Sequence, residues 1–154
     1  MISKKIYNII IFFFLILNYS NVSSSEQFQF DVTEVEILEN GNLFKGLKRG
    51  SIKTVDGIII DADYFVYNKI SNIVNAEGNI KLEDKINNYI IFSDKLIYKK
   101  NEEIIITDGN TKAIDQNNRV ITARKFTYNK ILNIINAEDN ARIEDIEEDN
   151  IIIA

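Results

Sequence analysis

One block of sequence occurs three times in this chain of 154 residues. The copies lie about thirty residues apart, so the chain stacks one small structural unit and does not wrap a unique core. They begin at Ala62, Ser93 and Ala123. The first reads Ala62-Asp-Tyr-Phe65-Val-Tyr67-Asn-Lys and continues through Ile73-Val-Asn-Ala76-Glu-Gly78-Asn79-Ile80-Lys-Leu82-Glu. The third reads Ala123-Arg-Lys-Phe126-Thr-Tyr128-Asn-Lys, then Ile134-Ile-Asn-Ala137-Glu-Asp139-Asn140-Ala141-Arg-Ile143-Glu. A looser middle copy puts Leu96 and Tyr98 in the aromatic slots.

The unit is β. Val74, Ala76, Gly78, Ile80 and Leu82 alternate with Asn75, Glu77, Asn79, Lys81 and Glu83, a period of two that gathers the small and apolar side chains on one face of a strand. Ile135, Ala137, Asp139, Ala141 and Ile143 repeat the pattern in the third copy, and Ile105, Thr107, Gly109, Thr111 and Ala113 in the second. In the first half of the unit, Ile58, Ile60 and Ala62 share one parity while Phe65 and Tyr67 share the other. A bulge or corner is therefore expected near Asp63-Tyr64, which leaves the face of Phe65 and Tyr67 open. Turn chemistry at Asn68-Lys69, Lys100-Asn101-Glu102 and Asn129-Lys130 divides the half-units, and Glu83-Asp84-Lys85 and Asp115 to Asn118 separate one unit from the next. No segment after the N-terminus has helical spacing, and the expectation is an all-β domain.

Composition narrows the chemistry. The chain has no Cys and no His, which removes thiol nucleophiles, disulfides, histidine bases and the usual zinc and haem ligands. Lys4 and Lys5 precede an apolar run from Ile9 to Leu17, followed by small and polar residues through Ser25. Residues 1–24 read as a cleaved signal peptide, since the apolar run is shorter than the ~20 residues a membrane span requires. An exported domain follows over residues 25–154. The net charge of −5 becomes more negative once the two lysines leave, which weighs against nucleic acid and against broad adhesion to anionic headgroups. Lys45, Lys48, Arg49 and Lys53 form a small basic cluster whose plain reading is a solvated loop and strand edge. Asp61 and Asp63, or the acidic run from Glu144 to Asp149, are paired carboxylates only by density. No phosphate-cradling glycine loop, calcium repeat or nucleophile elbow accompanies them, so no catalytic residue, metal ligand or cofactor is expected. Asn79, Asn110 and Asn140 recur at one repeat position and read as turn or strand-edge residues.

The repeated block Ala62…Phe65-Val-Tyr67…Asn72-Ile-Val-Asn-Ala76-Glu-Gly78-Asn79-Ile80 resembles the repeat of the OstA-like domain of lipopolysaccharide-transport proteins, found in LptA and the N-terminal part of LptD. The opening Phe28-Gln-Phe30-Asp-Val32-Thr-Glu-Val35-Glu-Ile37, with Gly41-Asn42 and Phe44-Lys-Gly46, looks like the start of the LptD version. The resemblance implies a β-jelly roll of two antiparallel sheets that diverge into an open groove. It implies lipopolysaccharide as ligand, its acyl chains inside the groove, and a periplasmic bridge reaching the outer membrane. LptA- or LptC-like partners would join by strand edges, with an outer-membrane barrel if the chain is part of a longer LptD. The cysteines that tie LptD to its barrel are missing here, so that coupling does not carry over.

The residues expected to line such a groove are Ile58, Ile60 and Ala62, then Val74, Ala76, Ile80 and Leu82. Ile105 and Thr107 continue the face, as do Ile135, Ala137, Ala141 and Ile143. Small members of the set, with Gly78 and Gly109, fill a core poorly, which leaves either space for a lipid chain or a close approach of two sheets. Phe28, Phe30, Val32, Val35 and Ile37 are expected on a first edge strand that the proline-free sequence leaves unguarded. Asn150 to Ala154 opens a fourth unit in mid-strand, as in a truncated product or a stand-alone carrier. Two other functions fit the repeats: a structural or adhesive β-repeat protein, dry inside, and an LptC-like anchored component that keeps its N-terminal run.

Overall fold

The computed structural model describes residues 27–145 and 150–153; the expected signal peptide lies outside them. Thirteen antiparallel strands follow in order: β1 (Phe28–Asp31), β2 (Val35–Leu38), β3 (Leu43–Gly46), β4 (Gly50–Thr54), β5 (Ile58–Ala62), β6 (Tyr64–Asn68) and β7 (Ile73–Asp84). Then come β8 (Tyr89–Lys99), β9 (Ile104–Ile114), β10 (Arg119–Asn129), β11 (Ile134–Glu138), β12 (Arg142–Asp145) and β13 (Asn150–Ile153). The expectation of an all-β domain holds among the described residues.

The four long strands β7 to β10 each contribute to two layers. Pairing of β7 with β8 runs from Ile73↔Lys99 to Glu77↔Lys95, breaks, and resumes from Ile80↔Ser93 to Asp84↔Tyr89. The β8–β9 ladder breaks between Phe92 and Lys95, and the β9–β10 ladder between Ala123 and Lys125. These interruptions line up across the sheet, and each strand bends there, because an unpaired residue in a ladder kinks its strand. One continuous sheet is thereby folded along a crease into two layers. The first layer runs β1–β4–β5–β7–β8–β9–β10–β12–β13, and the second adds β2, β3 and β6 on one side of the long strands and β11 on the other.

The corner expected near Asp63-Tyr64 is this crease. β5 ends at Ala62, β6 starts at Tyr64, and the Asp63 N–H donates to the Gly78 carbonyl at 3.0 Å. The phase change turns both parities inward, so that Phe65 and Tyr67 join Ile58, Ile60 and Ala62 in the core. Tyr98, Tyr128, Phe65 and Phe126 are the largest fully buried side chains, and they fill the recurrent aromatic slots of the repeat. Each fully buried side chain of this kind contributes about 1.5–3 kcal/mol relative to exposure. Packing between the two layers, which propensity alone cannot supply, therefore holds the crease shut.

The N-terminal edge differs from expectation. Phe28 to Ile37 does not form one edge strand: β1 borders the first layer through β4, and β2 borders the second through β3. The chain crosses the crease between them at Val32, whose Cγ1 packs so closely on Gly50 that a Cβ there would sit 2.5 Å away.

Candidate functional site

The residues expected to line a groove lie on the facing surfaces of the two layers. Ile58, Ile60, Ala62, Val74, Ala76, Ile80, Leu82 and Ile105 are buried, as is Thr107, whose Oγ1 has no hydrogen-bond partner. Ile135 and Ala137 are half-buried against this core, Ala141 is half-buried, and Ile143 is exposed. The inner face is therefore closed from β4 through β9 and becomes accessible toward β10 to β12.

Gly78 and Gly109 are small for a reason other than making room. Both have φ of +79°, and a Cβ at either would meet a carboxylate oxygen, Asp63 at 2.8 Å or Asp94 at 2.6 Å. They are crease residues, since left-handed backbone favours glycine. The following asparagines bind those same carboxylates, Asn79 Nδ2 to Asp63 at 2.6 Å and Asn110 Nδ2 to Asp94 at 2.7 Å. The third copy replaces the pair by Arg124 and Asp139, and the Arg124 N–H donates to the Asp139 carbonyl at 3.0 Å. Asn140, like Asn79 and Asn110, has positive φ. The recurrent asparagines are thus structural.

The basic cluster is consumed in the same way. Lys45 pairs with Glu36 at 3.4 Å, Lys48 with Glu34 at 2.9 Å, and Arg49 with Asp63 at 2.8 Å, while Lys53 is exposed. Hydrogen bonding from Arg49 and then Asn79 lowers the Asp63 pKa. Beside it, on the crease, is a cleft of about 350 Å³ lined by polar groups such as Arg49, Lys81, Asp94 and Asn110 together with Ile80 and Phe92.

Opposite the crease, the turns of the two layers meet at a mouth. Lys100 Nζ donates to Asp56 at 2.8 Å, Lys130 Nζ also donates to Asp56, and Glu103 receives both lysines, Lys130 at 3.5 Å. Tyr128 Oη donates to Asp84 at 2.7 Å and accepts from Asn87 at 2.9 Å. Nearer the N-terminus, the Asn72 amide donates to Gln27. Asp56, Asp84, Asn87 and Gln27 come from the first layer; Lys100, Tyr128, Lys130 and Asn72 come from the second. This latch was not visible in the sequence. Burial would raise the Asp56 carboxyl, but hydrogen bonds from Lys100 and Lys130 outweigh it and hold the pKa well below the usual carboxylate range. Burial, reinforced by hydrogen bonds to Glu103 and Asp84, raises the phenols of Tyr98 and Tyr128 respectively.

The two ends of the sandwich are finished differently. At the N-terminal end, Phe28, Phe30, Phe44 and Tyr67 form an aromatic plug, with Phe28 and Tyr67 edge-on at 4.9 Å and Phe30 stacked on Phe44 at 6.1 Å. At the other end the inward positions are the aliphatic Ile121, Ala123, Ile135 and Ala137, each only partly buried and with no aromatic ring among them. Of the five residues expected at the partner edge, Phe28 turns inward at 3% exposure and Phe30 and Val32 are half-buried, whereas Val35 and Ile37 are exposed. Among the described residues no group of three or more acidic side chains is placed to hold a metal ion.

A sheet creased into two layers around an apolar inner face, with strand edges at both ends that no other strand pairs among the described residues, defines the LptA-like class of β-jelly rolls. LptH, the LptA-homologous periplasmic component of the lipopolysaccharide transport device of Pseudomonas aeruginosa, has this fold: its crystal structure matches with a TM-score of 0.66 at 11% identity, over 82% of this chain and 93% of that one. Residues 22–153 match the family described as OstA-like protein, and the chain belongs to that family. No curated protein matches the sequence.

Proposed function

We propose that this chain is a periplasmic lipopolysaccharide-transport module that holds acyl chains against the facing surfaces of its two layers. One observation carries the reading: the apolar inner face is continuous from β5 to β11, is capped by aromatic rings at the plugged end, and at the other end is lined by smaller aliphatic side chains that are only partly buried. Family membership and the likeness to LptH support it. Each methylene withdrawn from water contributes about 0.8 kcal/mol, so a fatty chain is retained by such a surface without any charged site. Neighbouring LptA- or LptC-like modules join at the strand edges, β1 and β2 on one end and β11 and β13 on the other, where main-chain groups continue both layers by strand addition. No step of this cycle requires the module to make or break a bond.

A photo-crosslinking residue tests the reading. Placed at Ile135 or Ala137, on the inner face of β11, it is expected to capture lipopolysaccharide, and at Asn136 or Glu138, on the outer face, it is not. Equal capture from the two faces would remove lipid carriage.

A further inference from the structure

We propose that the mouth side of the molecule is a membrane-docking surface that seats on an anionic bilayer. The five most exposed large apolar side chains among the described residues are Val55, Ile70, Ile131, Ile86 and Leu132, at 81 to 64% exposure. All five lie on turns at the mouth. Val55 and Ile86 cap hairpins of the first layer, and Ile70, Ile131 and Leu132 cap hairpins of the second. Contacts bring these turns together: Lys130 reaches Asp56, the Asn87 amide lies 3.5 Å from the Lys130 carbonyl, and Lys100, which also reaches Asp56, donates its backbone N–H to the Asn72 carbonyl of the Ile70 turn. The other exposed aliphatics are strand residues such as Val35 and Ile37, apart from the less exposed Leu47 in the β3–β4 loop. The five at the mouth have no such explanation, and grouped exposed apolar surface marks an interaction site.

The tips are built to hold those side chains out. In three of the four turns an Asn or Asp carboxamide or carboxylate captures the tip backbone: Asn68 takes the Ile70 N–H at 3.0 Å, Asp84 the Ile86 N–H at 3.0 Å, and Asn129 the Leu132 N–H at 2.9 Å. In the same three turns a lysine comes immediately before the isoleucine: Lys69-Ile70, Lys85-Ile86 and Lys130-Ile131. Lys69 and Lys85 are exposed, Lys130 is held by Asp56 and Glu103, and Lys53 stands exposed two residues before Val55. The acids near these four tips, Asp56 and Asp84, are already bound to Lys100, Lys130 and Tyr128. The remaining mouth turns, with Glu39, with Lys99 paired to Glu102, and with Asp115 to Asn118, are polar. Aliphatic tips beside free cations suit a surface that is greasy below and negative above. The overall negative charge opposes adhesion by the whole surface and leaves this local complementarity intact.

The absence of cysteine from the sequence makes single-site labelling clean. Full-length chains carrying Ile70→Cys, Ile86→Cys or Ile131→Cys are labelled with an environment-sensitive fluorophore. They are then mixed with vesicles of phosphatidylglycerol and phosphatidylethanolamine, or of phosphatidylcholine alone. Glu77→Cys and Lys112→Cys, exposed positions away from the mouth, serve as references. The expected result is a blue shift with at least about a twofold rise in emission at the three tips on anionic vesicles, a smaller rise on phosphatidylcholine, and none at the references. Equal responses at tips and references, no response at the tips, or equal tip responses on the two vesicle types would overturn the proposal. The outcome is independent of lipid carriage: failure of capture at Ile135 with responsive tips would remove the carrier reading and leave the docking surface.

Discussion

The two ends of this sandwich are made from the same repeat and finished in opposite ways. At the N-terminal end Phe28 and Tyr98 meet edge-on across the layers at 5.9 Å, and Phe30 and Phe44 close the gap beside them. At the C-terminal end the corresponding inward positions are the smaller aliphatics Ile121, Ala123, Ile135 and Ala137, all only partly buried. The mouth follows the same gradient. Asp56 and Asp84 are bonded across the layers, whereas Asp115, at the next turn along, takes the N–H groups of Asn117 and Arg119 in its own hairpin. A repeat therefore sets the frame of two layers and a crease, and substitutions in a few slots decide where the interior is shut.

The largest effect separating the ends is expected from truncating the plug. Phe28→Ala removes a buried ring touching Tyr67 and Tyr98 and should cost about 3–5 kcal/mol in urea denaturation. Ile135→Ala, at the less completely buried end, should cost less, about 1–2 kcal/mol, since part of its side chain stays in water. Equal losses would abolish the distinction.

At the crease, the expected difference lies between copies. Gly78→Ala puts a Cβ 2.8 Å from an Asp63 oxygen at φ of +79° and should destabilise by about 1–3 kcal/mol. Asp139, at the matching place in the third copy, already carries a side chain at φ of 65°. Asp139→Gly should therefore be neutral or stabilising by up to about 1 kcal/mol in the same assay.

The mouth gives a smaller effect with a defined pH dependence. Asp56→Asn leaves Lys100 and Lys130 sharing Glu103 and is expected to cost about 1–2 kcal/mol near neutral pH, as the site is partly exposed. The Asp56 pKa is depressed in the fold, so its contribution is complete above the ordinary value of 3.8 and is lost as pH falls below that toward the folded value. Tyr98 and Tyr128 have raised pKa values, so the stability they confer is complete below their ordinary 10.0 and declines as pH climbs past it. Melting temperature against pH should show both flanks, and Asp56→Asn should shrink the acid flank most and the alkaline one only slightly, since burial and Glu103 raise the Tyr98 pKa more than the Asp56 charge does.

How much of this was legible in the sequence follows from the range of each signal. The alternation through Val74, Ala76, Ile80 and Leu82 is local, and it named their face correctly. A parity change marked the corner at Asp63, but parity resets across a corner, so Phe65 and Tyr67 could be placed only in three dimensions. The sequence does not assign Gly78 and Gly109 to the crease, because a left-handed backbone and a thin interior call for the same residue. The break between β1 and β2 carries no glycine or turn signature at Val32-Thr33-Glu34, which hid the edge's division between layers. The mouth latch joins residues 44 and 74 positions apart, and no spacing rule reaches that far.

The central claim is that acyl chains are received at the open end of a graded interior. Lipopolysaccharide capture by an aliphatic photo-crosslinker at Ile135 on β11, set against the same probe at Ile52 on β4, tests it most directly. The structure predicts capture at Ile135 at least about tenfold stronger, because Ile52 is fully buried behind the aromatic plug. Equal capture at the two positions, or none at Ile135, would contradict it.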